Sequence, residues 1–145
     1  MYLFNVKFRD TITTSIFASV GGRFKIDTCA INKINSGSIT NGLIASGIDS
    51  ITFTVSYIIC NSCVIDTCTT GIQVDNAGSI LVNGFNIINT TTALKVESVG
   101  TTSKLDLTSV NIETSSSYDL DIQATNANII LAGCQVQRNL QMINN

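Results

Sequence analysis

The sequence predicts an all-β chain, a right-handed parallel β-helix in which single-chain coils of about 22 to 25 residues stack on one another. Three observations carry this: an eight-residue apolar alternation that recurs down the chain, a further apolar pair after each copy, and a composition suited to strands and turns. Residues 80–87 (ILVNGFNI) align with 105–112 (LDLTSVNI) and with 129–136 (IILAGCQV). In each copy two alternating apolar residues precede a small turn residue and two more follow it, which reads as two short strands joined by a bend.

The third element is the pair Ile72 and Val74, repeated as Leu94 and Val96 and as Leu120 and Ile122. Polar arcs at 66–71 and 88–93 lead into it. Three strands per period is the cross-section of a three-sided coil. Ile58, Cys60, Cys63 and Ile65 fill the same places one period earlier, as do Phe24, Ile26, Cys29 and Ile31 before them. A partial first coil holds Val6, Phe8, Ile16 and Ala18, so residues 1–145 read as one solenoid segment of about six coils. Successive strands would pair in parallel, stacking Cys29, Cys63, Phe85, Val110 and Cys134 in one inward column. A helical reading fails on period. A β-sandwich is the better rival, but the regular three-strand period favours coils over hairpins.

One period is longer than the rest, and the extra residues are expected as an insertion near 40–57. Residues 42–47 and 51–55 are its candidate protruding loop or hairpin. In a solenoid such insertions map to one face, often the binding face.

Hydrophobic residues make up 44% of the chain, enough for a sizeable core, while charged residues are only 12% and the net charge is −2. No basic face is available for a phosphate backbone, so nucleic acid is not an expected partner. The chain has no His, Pro or Trp, and catalysis would have to rest on carboxylates, Lys, Tyr or Cys. Residues 1–8 alternate and lack the pattern of a signal peptide. No stretch reaches the roughly 18 uninterrupted apolar residues of a membrane span, so no membrane partner is expected.

Among motifs, Cys60-x-x-Cys63 with Cys68 comes nearest to a metal signature, but only Cys29 and Cys134 remain to complete a zinc set. No metal and no cofactor are expected. Inward thiols behave as small apolar groups, and an odd count of five cysteines favours free thiols over a Cys29–Cys63 bridge between coils.

Carboxylates are the next candidates, because glycosidases place two of them about 5 to 10 Å apart. The repeat sets Asp75 and Glu97 at equivalent outward places on adjacent coils, with Gln123 one coil on. Gln73, Lys95 and Asp121 stack beside them, and Lys95 is expected to pair with Asp121. Asp75 and Glu97 are therefore the catalytic candidates, and Gln73, Lys95, Asp121 and Gln123 the binding candidates. The plainer expectation for the same residues is an exposed ladder of acids and ion pairs. Asp66 and Glu113 share another outward column but are separated by Ile88. Asn83 over Thr108 and the Thr-rich arc 89–92 offer rows of amides and hydroxyls, and Asn89-Thr90-Thr91 also matches a glycosylation acceptor.

The pattern resembles the pectin-lyase-like right-handed β-helix superfamily, and most of all a segment of a viral or phage tailspike, tail fibre or baseplate appendage. That resemblance implies a structural and adhesion module at a virion or extracellular surface, commonly a homotrimer, that binds host surface polysaccharide. The alternatives are a glycoside hydrolase acting on surface glycans and a bacterial surface spacer domain. Lyases of the superfamily carry an Asp cluster for calcium and a catalytic Arg or Lys, and no such cluster appears in this sequence. Neither end shows a capping helix, so neighbouring coils of a longer chain, a flanking domain or another subunit are expected to cover Val6, Phe8 and Ile16 at one end and Leu131, Cys134, Val136, Leu140 and Met142 at the other.

Overall fold

The computed structural model describes residues 1–9, 14–19, 21–32, 39–47, 55–98, 102–113, 116–136 and 140–142. None of them is helical. They form a parallel β-solenoid of about 4 turns.

The strands are β1 (Tyr2–Phe4), β2 (Lys7–Arg9), β3 (Thr14–Ser19), β4 (Arg23–Asp27), β5 (Ala30–Asn32), β6 (Ile39–Ser46), β7 (Tyr57–Asn61) and β8 (Val64–Asp66). After them come β9 (Cys68–Asp75), β10 (Ser79–Ile88), β11 (Thr92–Ser98), β12 (Ser103–Glu113), β13 (Tyr118–Ala124), β14 (Ala127–Ala132) and β15 (Leu140–Met142). Pairing gathers them into a nine-stranded and a six-stranded sheet. Where the sequence suggests three strands per coil, β10 and β12 run unbroken through the bend and pair with each other along it, and β10 pairs on its other side with β7 before the bend and β8 after it.

Every strand pair is parallel, so inward residues stack without a change of face. One row runs Leu3, Ile26, Cys60, Val82, Leu107 and Leu131. A second runs Phe8, Ile31, Ile65, Ile87 and Ile112. The six-stranded sheet answers with Ile16, Leu43, Ile72, Leu94 and Leu120. Most of these side chains are wholly buried, each contributing about 1.5 to 3 kcal/mol through removal from water.

The bend has a uniform backbone cause. Asn5, Thr28, Ser62, Gly84, Ser109 and Gly133 occupy equivalent places, and all have φ between 50° and 63°. A left-handed residue there turns the chain while the next residue, Cys29, Cys63, Phe85 or Val110, points back into the core. Small and polar residues fill the place because they tolerate this conformation best.

Two expectations require correction. Residues 42–46, expected within an insertion near 40–57, instead continue β6, with Leu43 and Ala45 buried between β3 and β9. Register places the extra residues of the long period in two separate stretches, one between Asn32 and Ile39 and one between Ser46 and Tyr57. Residues 51–54 of the proposed hairpin lie outside the described residues. Ile16, expected to be uncovered at the first coil, is 3% exposed because β6 lies directly over it. At the other edge Leu131 and Val136 are exposed and Cys134 is half-buried. The side chains of Leu140 and Met142 lie outside the described residues.

Candidate functional site

In β9, β11 and β13 the residues between the inward rows face out, and register sets them in two columns. Gln73, Lys95 and Asp121 form one, and Asp75, Glu97 and Gln123 the other. All six candidates named from the sequence therefore lie on one strip of the six-stranded sheet.

The side chains on the strip are bonded to one another. The amide of Gln73 donates to Asp75 Oδ2 at 3.1 Å and to Glu97 Oε2 at 3.3 Å. It thus joins the two carboxylates across adjacent strands. Lys95, expected to pair with Asp121, instead bonds Glu97 on its own strand, with Nζ 2.5 Å from Oε1. Residues two apart on a strand project from the same face, and that neighbour competes with the cross-strand one. Asp121 takes the Gln123 amide, at 3.2 and 2.9 Å to its two oxygens.

The strip is less exposed than a surface ladder of acids would be. Asp121 is only 5% exposed, Gln73 and Asp75 are half-buried, and Lys95 and Glu97 keep 27% and 37% of their side chains accessible. Asp75 Oδ1 is buried with no hydrogen-bond partner among the described residues. An oxygen in that state favours any donor that can reach it. Chemically the strip presents carboxylates and primary amides repeated at strand spacing, about 4.8 Å.

The other columns are occupied differently. Asp66 Oδ1 accepts from Thr67 Oγ1 and Asn89 Nδ2, both at 2.9 Å. Glu113 accepts from Asn111, and Ile88 separates the two acids in register. Asn83 pairs with Thr108 and with Asn61. Asn61 in turn donates to Asp27 at 2.5 Å. That bond, with a second from Tyr2 and the Lys25 charge beside it, holds the Asp27 carboxyl below its usual range. A shallow cleft of about 190 Å³ lies away from the strip, lined by Ser109, Val110, Asn111, Gly133 and Gln135.

One residue was not visible in the sequence as buried, and the inward thiols read there are closer than the column alone implies. Asp119 is 1% exposed and occupies the row where earlier coils place Gly42, Gly71 and Ala93. Cys29, Cys60 and Cys63 cluster under the bend, with Cys60 donating to Cys63 across 2.9 Å between sulfurs. Among the described residues no group of three or more Cys, Asp or Glu is placed to hold a metal ion, and no helix is long and apolar enough to cross a membrane.

No protein-family model matches the chain, and neither does any curated protein or solved structure.

Proposed function

We propose that this chain is a structural and adhesion module of a virus particle, a solenoid wall that holds host surface polysaccharide along the outward face of its six-stranded sheet. The observation that carries the reading is the Gln73 amide bonded to both Asp75 and Glu97, at the β9 side of a strip continued by Lys95, Asp121 and Gln123. Sugar hydroxyls both donate and accept, and a row of carboxylates and amides offers partners for both roles. A glycan laid along the stacking direction would meet a fresh carboxylate or amide at each coil.

The finer architecture that accompanies this reading is a right-handed β-helix with three strands per coil and about six coils, similar to the pectin-lyase-like superfamily and most like a tailspike, tail fibre or baseplate segment. Support comes from the near-universal right hand of crossovers between parallel strands. Such a module belongs on a virion or extracellular surface as a homotrimer. Sedimentation velocity gives the test of assembly, with a trimer expected and a stable monomer at all concentrations contradicting it. Retention on immobilised surface polysaccharides tests the binding, with loss expected in the Gln73→Ala, Glu97→Gln double variant.

A second reading is favoured by one observation, the shared Gln73 donor that brings the Asp75 and Glu97 carboxylates together. In that reading the chain is a glycoside hydrolase with these two as acid and base or nucleophile. Release of reducing ends by the wild type, abolished by Asp75→Asn and Glu97→Gln, would support it over adhesion alone. Retention without release supports the adhesion module.

A further inference from the structure

Five of the bends hold at most one thiol. At the inward places before and after the left-handed residue stand Ile26 and Cys29, Val82 and Phe85, Leu107 and Val110, or Leu131 and Cys134, and the first coil has Leu3 and Val6. The remaining bend, at Asn61 and Ser62, has Cys60 before it and Cys63 after it. Their sulfurs are 2.9 Å apart, with Cys60 donating. We infer that Cys60 and Cys63 are a peroxide-oxidisable dithiol that closes to a disulfide within the coil, across the bend.

The surroundings distinguish the two sulfurs. Cys63 Sγ receives the Cys60 thiol and the backbone N–H of Cys29 at 3.3 Å, and as a thiol it donates to the carbonyl of Asn61 at 3.1 Å. The two donors favour a thiolate at Cys63 against burial and the nearby Asp27 charge, and its pKa is lowered, chiefly by the Cys60 hydrogen bond. That of Cys60 is raised, chiefly by the same bond and then by burial. Cys29, on the preceding coil, sends its own S–H to the carbonyl of Asp27 at 3.4 Å and lies 4.0 Å from Leu3 O; its thiol also lies within reach of Cys63, but more weakly than that of Cys60, the largest influence on Cys63. Cys63 is therefore the attacking sulfur and Cys60 the resolving one.

The chemistry balances with hydrogen peroxide as the oxidant, a small molecule that has to reach sulfurs of residues 4% and 1% exposed, Cys63 and Cys60, beneath the exposed Ser62. The Cys63 thiolate attacks one peroxide oxygen and the O–O bond breaks. Hydroxide leaves, takes up the thiol's proton to become water, and Cys63 becomes a sulfenic acid. Cys60 sulfur then attacks Cys63 sulfur, the S–O bond breaks, and a second water carries off the Cys60 proton. Two thiols lose two electrons in all, and one peroxide gains them. Cys68, also buried, has no such neighbour, and burial pushes its thiol up to about 12.

The test uses the full chain, reduced, exposed to hydrogen peroxide, quenched and alkylated after denaturation. The expected loss is two of the five alkylation labels, with fragmentation placing the bridge between Cys60 and Cys63. Cys68→Ser should still lose two. In Cys60→Ser, a sulfenic acid should be trapped at Cys63 by dimedone, whereas Cys63→Ser should give no adduct at Cys60. Retention of all five labels, a Cys29–Cys63 bridge, or loss of labels without a bridge would each overturn the inference. Should a serine variant fail to fold, label count and bridge position in the wild type still decide.

Discussion

Asp75 and Glu97 stand opposite one another on adjacent strands, and the Gln73 side-chain amide donates to both. Two carboxylates directly opposite on a sheet repel, and a shared donor offsets that repulsion. Gln73→Leu removes the donor and leaves the repulsion. The variant should lose about 1 to 2 kcal/mol in urea unfolding, and the loss should shrink in high salt as the like charges are screened. Equal stability of variant and wild type would show that the amide is not bridging in solution.

The column of left-handed bends predicts opposite outcomes for two small substitutions. Gly84 has φ +63° and open space around a Cβ, the nearest atom lying 3.8 Å away, so Gly84→Ala should cost about 1 kcal/mol from backbone conformation alone. Ser109 holds φ 53° with a side chain in place, and Ser109→Gly should stabilise or be neutral. Thermal unfolding of the pair checks both signs. Stabilisation by Gly84→Ala would mean that the bend relaxes out of the left-handed region.

At Gly71 the limit is steric. A Cβ there would sit 2.6 Å from Ala93 O and 3.0 Å from Ile87 Cγ2, and neither the strand backbone nor the core side chain can withdraw cheaply in a stack. Gly71→Ala should therefore cost about 1 to 3 kcal/mol as overpacking. Denaturant midpoints of this variant and Gly84→Ala, measured side by side, would separate crowding from backbone strain.

Acid sensitivity has one identifiable contributor. The Asn61 hydrogen bond, then that of Tyr2, depresses the folded-state pKa of Asp27. A depressed carboxyl contributes stability above its unfolded pKa and loses it as pH falls through the folded value. The melting temperature of the wild type should accordingly drop below about pH 4 more steeply than that of Asp27→Asn. Parallel slopes for the two proteins would show that Asp27 does not contribute. Because this group is half-buried at the surface and reached by solvent, the difference in slope is expected to be small.

Period-two alternation made the inward rows legible, because one face of each strand is buried and parallel stacking keeps every row on its face. The strip was legible for the same reason, as the complement of the rows Ile72, Leu94, Leu120 and Val74, Val96, Ile122. Pairing within the strip was not, since Lys95 chooses between a same-strand and a cross-strand acid by side-chain reach. Asp119 was hidden because alternation breaks at its corner. A Cβ on Gly71 would touch Ile87 although the next residue, Ile72, is also buried in the core, so two successive residues face inward there. The long period misled because its extra residues are split between two joints, and a count of residues per coil cannot say where they enter.

The proposal that the outward strip of β9, β11 and β13 holds polysaccharide is tested by backbone amide shifts recorded during titration with a retained polysaccharide fragment. Perturbations are expected at residues 73–75, 95–97 and 121–123, with the bends at 62, 84 and 109 unmoved, and they should be lost in Gln73→Ala. Perturbations centred on the cleft around Asn111 and Gln135, or binding unchanged in Gln73→Ala, would contradict it.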